Sequence, residues 1–178
     1  VTYNVWDLKR IRSFMESGQA REDLFVDFAG EFGGPVPVLP AFGADTALES
    51  FVAVIPGEQL AAIYEKWGAR LLEANVRSFL QARNKVNRGI RDTIKTEPDM
   101  FFSYNNGITA TAEGVVIEKS TDGPLLYCAE NLQIVNGGQT TASVHAALKL
   151  SPEQLKNVRV QMKLSVVPPK RAEEVVPK

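Results

Sequence analysis

Only one cysteine and one histidine occur among the 178 residues, which excludes a disulfide framework and argues against a zinc site. Cys128 lies in an apolar run with no cationic neighbour to lower its pKa, so we expect a small buried side chain rather than a nucleophile. The formal net charge is −1, so no overall field attracts the molecule to nucleic acid. Any such attraction must come from a local cluster of charge.

Several familiar sequence signals are missing as well. No apolar run approaches the ~20 residues of a membrane span, and no signal peptide is visible, so we expect a cytoplasmic protein without a membrane partner. No Gly-Lys-Ser or Gly-Lys-Thr follows a glycine turn, which excludes a phosphate loop of the Walker type. The dinucleotide-binding fingerprint and internal repeats are also absent.

The most informative stretch is residues 132–148. A short branched apolar run predicts a buried strand, a glycine turn interrupts it, and an Ala-rich segment predicts a helix. A helix that starts at such a turn presents unpaired amides, which attract anions. The candidate ligand-binding or phosphate-binding residues here are Asn136, Gly137, Gly138, Gln139, Thr140 and Thr141. The alternative is a plain tight connection with Thr140 as the helix N-cap.

A second informative stretch is basic. Six basic residues lie between residues 77 and 95, against the single acid Asp92. A helix that buries Val86, Ile90 and Ile94 would expose several of these cations on its opposite face, which fits phosphate binding. The alternative is a solvated face whose charges pair with acids elsewhere. The predicted nucleic-acid contacts are Arg77, Arg83, Lys85, Arg88 and Arg91.

A second Asn-Gly corner precedes another predicted strand, and its candidate ligand-binding residues are Asn105, Asn106 and Gly107. If both corners lie at the same edge of the sheet, they form a polar notch beside the basic helix. The aromatic residues just before this corner suit a protein-interaction surface, although core packing is the expected role for Phe101, Phe102 and Tyr104.

The predicted fold is α+β or α/β, with a mixed sheet of about six strands and flanking helices. Strands are expected at residues 24–28, 50–55 and 158–167, an edge strand at 36–38, and a helix at 56–67. Residues 115–118 and 125–128 are predicted as the arms of a hairpin around a loop at 121–124. We expect one domain over residues 1–178, as a fragment of a longer chain, because no Met opens it and residues 168–178 begin a helix without a stop signal.

Four motifs occur in one order, at residues 73–80, 84–91, 101–109 and 132–141. This series resembles the AIPR family, the abortive infection phage resistance proteins of bacteria. The resemblance implies a cytoplasmic antiphage protein, often encoded near restriction-modification genes, with further sequence at both ends. More distantly, the strand-Asn-Gly-Gly-Gln-Thr-helix element is similar to the strand-Asp-Gly-Gln-His-Arg-helix element of ParB-like and DGQHR proteins, which bind nucleotides or act on DNA. Thr140 and Thr141 replace the His-Arg pair here.

Three functions stay open on the sequence. The first is recognition of nucleic acid or a nucleotide. The second is a nuclease or nucleotide hydrolase, for which His145 could be a general base, but the acids Glu22, Asp23, Asp27, Glu31 and Glu113 are scattered. The third is a protein-interaction module, a homo-oligomer included, that senses a phage component. The sequence identifies no catalytic residue, metal ligand or cofactor.

Overall fold

The computed structural model describes residues 24–41, 49–72 and 85–167, and within these ranges the side chains of residues 85–87 are not described. The helix start predicted at residues 168–178 lies outside the described residues. The described part is α+β, which confirms the predicted fold class.

The described residues contain eight strands rather than about six, since the hairpin arms and the short first strand all join one curled sheet. They are β1 (Phe25–Asp27), β2 (Val36–Pro40), β3 (Glu49–Pro56), β4 (Ile108–Ala112), β5 (Gly114–Ser120), β6 (Gly123–Glu130), β7 (Gln133–Asn136) and β8 (Arg159–Val166).

The strand order is β1-β6-β2-β3-β8-β4-β7, and β5 adds to β6 outside this path. Among the described strands, pairing is antiparallel except between β4 and β8, so the sheet is mixed. The strand predicted at residues 50–55 is confirmed as β3, which lies inside the sheet because it pairs with both β2 and β8.

The predicted edge position of β2 is wrong. Val36 and Pro37 pair with β6, whereas residues 38–40 pair with β3. The strand therefore passes from one half of the curled sheet to the other, and each residue needs a neighbour on one side only. This arrangement tolerates Pro37 and Pro40, which lack the N–H that a strand paired fully on both sides would require.

In the segments that the structure describes, three longer helices and two single turns accompany the sheet: α1 (Gly57–Trp67), α2 (Lys85–Thr96), α3 (Phe101–Tyr104), α4 (Gly138–Leu150) and α5 (Pro152–Leu155). Short 3-10 turns, Gly68–Leu71 and Pro98–Met100, follow α1 and α2. The predicted start of α1 after Pro56 and its stop at Gly68 are confirmed, and Gly68 has φ +53, which favours glycine.

One face of the sheet carries the hydrophobic core. In β8 the residues Val160, Met162, Leu164 and Val166 are buried while the residues between them are exposed or half-buried. Helices α1, α2 and α4 contact one another on the buried side, with α4 between the other two. The alternation therefore fixes which side chains of β8 face the helices and which remain on the open face.

Candidate functional site

The two Asn-Gly corners lie side by side. Strand β7 ends at Asn136 and pairs antiparallel with the start of β4, so that Asn136 is opposite Thr109. A Cβ atom added to Gly137 would lie 2.7 Å from the carbonyl oxygen of Gly107. We call the surface formed by Asn105, Asn106, Gly107, Asn136, Gly137 and Gly138 the Asn-Gly notch.

Glycine is required at both corners of the Asn-Gly notch. Gly107 has φ +70 and Gly137 has φ +91, a region that L side chains rarely adopt. A Cβ atom at Gly107 would overlap the carbonyl oxygen of Gln161 on β8, and one at Gly137 would meet the backbone of Ile108 at 2.9 Å. The two corners and β8 thus approach one another closely because Gly107 and Gly137 have no side chains.

Helix α4 starts inside the notch without a side-chain cap. Gly137 is the N-cap, and its carbonyl oxygen accepts bonds from the amide (3.0 Å) and hydroxyl (3.1 Å) of Thr141. The alternative with Thr140 as N-cap is therefore wrong, because glycine occupies that position. The amides of Gly138, Gln139 and Thr140 have no acceptor within the helix, and the positive end of the helix dipole coincides with them.

The predicted ligand residues differ in their access to solvent. Asn106 and Asn136 are exposed, and Gln139 is half-buried. Thr140 is 7 % exposed and Thr141 is fully buried, so the Thr141 hydroxyl stabilises the first turn of α4 rather than facing the notch. The Asn136 side-chain oxygen accepts the amide of Gly137 at 2.7 Å, and the Asn105 amide nitrogen donates to the carbonyl of Phe101 at 3.1 Å.

A lysine that the sequence analysis did not single out lies in the same row as the notch. Strand β4 pairs Thr109 with Asn136 on one side and with Lys163 on the other. Residues directly opposite on neighbouring strands share a face of the sheet, and strands are about 4.8 Å apart. The exposed Lys163 therefore stands on the face that carries Asn136, two strands away. The alternation of polar and apolar residues in β8 predicts that Lys163 faces solvent, but it does not show which strand pairs with β8 beside it.

The basic helix α2 packs against the elements that lead into the notch. It contacts α4, which starts in the notch, and α3, which leads into Asn105. Ile90 and Ile94 are buried as predicted, and Arg88, Arg91 and Lys95 are exposed on the opposite face at spacings of three and four. Within the part of the chain that is described, neither Arg88 nor Lys95 forms an ion pair.

Arg77 and Arg83 lie outside the described residues, and Lys85 begins α2 with a side chain that is not described.

Two of the three aromatic side chains beside the notch are exposed, contrary to the expected core packing. Phe101 is 1 % exposed, but Phe102 is 44 % and Tyr104 60 % exposed. Helix α3 is a single turn, and it has only one side against the core. Phe101 occupies that side, so its neighbours project away from it.

A protein-family match covers the segments that form the notch and the basic helix. The family model described as AIPR protein matches residues 72–178. The chain belongs to the AIPR family. The match includes the basic helix, α3 and both corners of the notch, and it confirms the resemblance drawn from the four motifs. Membership of this family implies a role in abortive infection, that is, in phage resistance.

No curated protein and no solved structure matches this AIPR chain. Within residues 24–41, 49–72 and 85–167, no helix is long and apolar enough to cross a membrane.

Potential catalytic groups of the AIPR chain are engaged in structural contacts. Asp27 accepts the amide of Gly30 at 2.8 Å, Glu31 pairs with Lys66 at 2.5 Å, and Glu113 accepts an amide hydrogen of Asn131 at 2.8 Å. Glu22 and Asp23 lie outside the described residues. In the described segments no cluster of His, Cys, Asp or Glu is placed to hold a metal ion.

His145 links two helices. Its Nε2 atom pairs with Glu65 on α1, and its ring lies 5.0 Å from that of Tyr64 in an edge-on arrangement. The hydrogen bond from His145, together with Lys149, holds the pKa of Glu65 below its usual value. This contact gives His145 a structural role in joining α1 and α4.

The environment of Cys128 disfavours the reactive thiolate form of its side chain. Burial, together with the neighbouring carboxylate of Asp27, raises the pKa of the Cys128 thiol above its usual value. The thiol form therefore predominates at neutral pH, which agrees with the expectation of an unreactive side chain.

Proposed function

We propose that this AIPR domain recognises nucleic acid in phage defence and that it does so by binding phosphates at the Asn-Gly notch and along α2. The meeting of the two corners is the observation that carries the proposal. It brings the uncapped amides of α4 and the exposed asparagine side chains to one end of the sheet, with Lys163 in register with them.

Charge supports a phosphate ligand at this place. The whole molecule has a net charge of −1, so the exposed Arg88 and Lys95 of α2 form a local basic region rather than part of a general positive surface, and Lys163 lies on the open face of the sheet in register with Asn136. Exposed cations gain little from pairing with surface acids, whereas polyanion binding releases condensed counterions and is strongly favourable at low salt.

The asparagine side chains supply a second type of contact. Each carboxamide offers both donors and an acceptor, which suits the edge of a base or a sugar hydroxyl. Asn106 and Asn136 are exposed at the notch and are the residues to which we assign this contact. Phosphate contacts by the cations would fix the position of the strand, and the asparagines would discriminate between ligands.

The test is the salt dependence of binding. Fluorescence anisotropy with oligonucleotides, measured from about 50 to 200 mM salt, should give a steep log–log slope for the wild-type chain. Arg88→Gln, Lys95→Gln and Lys163→Gln should each weaken binding several-fold and reduce the slope by about 0.7 to 0.9, the value for one lost phosphate contact.

Lys119→Gln is the matched control for these variants. Lys119 is exposed on β5, whose partner among the described strands is β6, on the far half of the sheet. Its replacement should leave both affinity and slope unchanged. Absence of salt-dependent binding in the wild-type chain, or an equal loss with Lys119→Gln, would overturn the proposal.

A further inference from the structure

The exposed aromatic side chains of α3 indicate which form of nucleic acid the notch would accept. Phe102 and Tyr104 lie on the short segment that joins the basic helix α2 to Asn105. We infer that Phe102 and Tyr104 form a stacking platform for unpaired bases, so that the ligand is single-stranded. This inference rests on the proposed function and specifies its ligand.

Packing and hydrogen bonds restrain the turn that carries Phe102 and Tyr104. Phe101 is buried and anchors the turn, while the carbonyl of Phe101 accepts the side-chain amide of Asn105 at 3.1 Å. The Tyr104 hydroxyl lies 3.5 Å from a carboxylate oxygen of Glu97, the residue that follows α2. The Tyr104 ring, which this contact restrains, loses little conformational freedom when a base stacks on it.

The surroundings of the rings favour a nucleic acid over an apolar protein surface. Ser103 and Asn106 are exposed between and beside the rings, so the apolar area is divided by polar groups. The exposed cations of α2 are one helical element away and their charge complements a phosphate backbone, while the exposed acids Glu97 and Asp99 lie between them and the rings. Exposed aromatic rings beside carboxamides, with cations on a neighbouring helix, are typical of proteins that bind unpaired bases.

A duplex would not use this platform. The faces of paired bases are covered by their neighbours in the stack, whereas each unpaired base offers a free face to an aromatic ring. Phosphate contacts alone would bind both forms. Preference for single strands therefore separates the stacking contribution from the electrostatic one.

The experiment compares three ligands built on one strand of about 12 nucleotides: the single strand, its duplex, which adds the phosphates of a second strand, and the single strand with its central bases removed. The wild-type chain should bind the intact single strand about ten-fold or more tightly than either of the others. Phe102→Leu should lower affinity for the intact strand by a similar factor without changing the salt slope, and Phe102→Tyr should restore it.

Phe25→Leu is the matched control, since Phe25 is also 44 % exposed but lies on β1 at the other end of the strand order. It should leave binding unchanged. The ligand without bases should be insensitive to Phe102→Leu, and its unchanged binding shows that the variant is folded. RNA and DNA strands are both tested, and the preference for unpaired bases should hold for whichever sugar binds more tightly.

The outcomes separate the two proposals. Salt-dependent binding that is equal for all three ligands and insensitive to Phe102→Leu would overturn the stacking platform and leave the proposed function standing. No salt-dependent binding of any ligand would overturn the proposed function itself.

Discussion

Replacing Gly137 with alanine is expected to destabilise the protein by about 3 kcal/mol or more. The left-handed conformation at φ +91 costs a side chain about 1–2 kcal/mol. The added Cβ atom would also lie 2.7 Å from the Gly107 carbonyl oxygen and 2.9 Å from the Ile108 Cα atom, and such overpacking typically costs about 1–3 kcal/mol. Urea denaturation, with the midpoint and slope fitted together, measures the effect.

Gly33→Ala is the matched control for the Gly137 variant. Gly33 has φ +92, nearly the same backbone conformation, but no atom lies within 4 Å of an added Cβ. Its loss should be limited to the backbone cost of about 1–2 kcal/mol. Equal losses in the two variants would contradict the close approach of the two corners, because the contact with Gly107 and Ile108 would then contribute nothing.

Phe101→Ala is expected to lower the free energy of unfolding by about 3–5 kcal/mol, the usual range for removing a buried phenylalanine. Phe101 is 1 % exposed and is the residue of α3 that packs into the core. Its loss would leave a cavity below the turn that carries the exposed aromatic rings and the first Asn-Gly corner. The measurement is again equilibrium denaturation, which should show a lower midpoint with little change in slope.

The neighbouring Phe102→Ala variant supplies the comparison. Phe102 is 44 % exposed, so its replacement should change stability by less than about 1 kcal/mol. The two adjacent phenylalanines should thus behave oppositely, with Phe101 required for folding and Phe102 for ligand binding. A large stability loss for Phe102→Ala would show that its ring is packed rather than available.

Local features of the fold were predictable because they depend on neighbouring residues. Pro56 and Gly68 bound α1 where proline and glycine chemistry places a helix start and stop. The hairpin β5–β6 forms where predicted, although its strands extend further and leave only Thr121 and Asp122 between them. The strand–glycine–helix order around Gly137 also follows from composition over a few residues.

Features that depend on distant pairing were not predictable. Asn136 and Lys163 share a face only because β4 lies between β7 and β8, and no local pattern specifies that order. The edge position assigned to β2 was wrong for the same reason, since Pro37 suggested an edge without showing that the strand changes partners.

The exposure of Phe102 had a different cause. Hydrophobic composition predicts burial, but a single helical turn has one buried side, and the sequence does not show which aromatic residue occupies it. Only the packed structure distinguishes Phe101 from its neighbours.

The most direct test of the account is to observe the backbone amides of the notch while a ligand binds. In a two-dimensional NMR titration of the labelled chain with a single-stranded oligonucleotide, the amide resonances of Gly107, Gly137, Gly138 and Gln139 should shift with those of α2. Resonances of the β5–β6 hairpin should stay in place. Saturable binding that leaves the notch resonances unmoved, or that shifts the hairpin instead, would contradict the account.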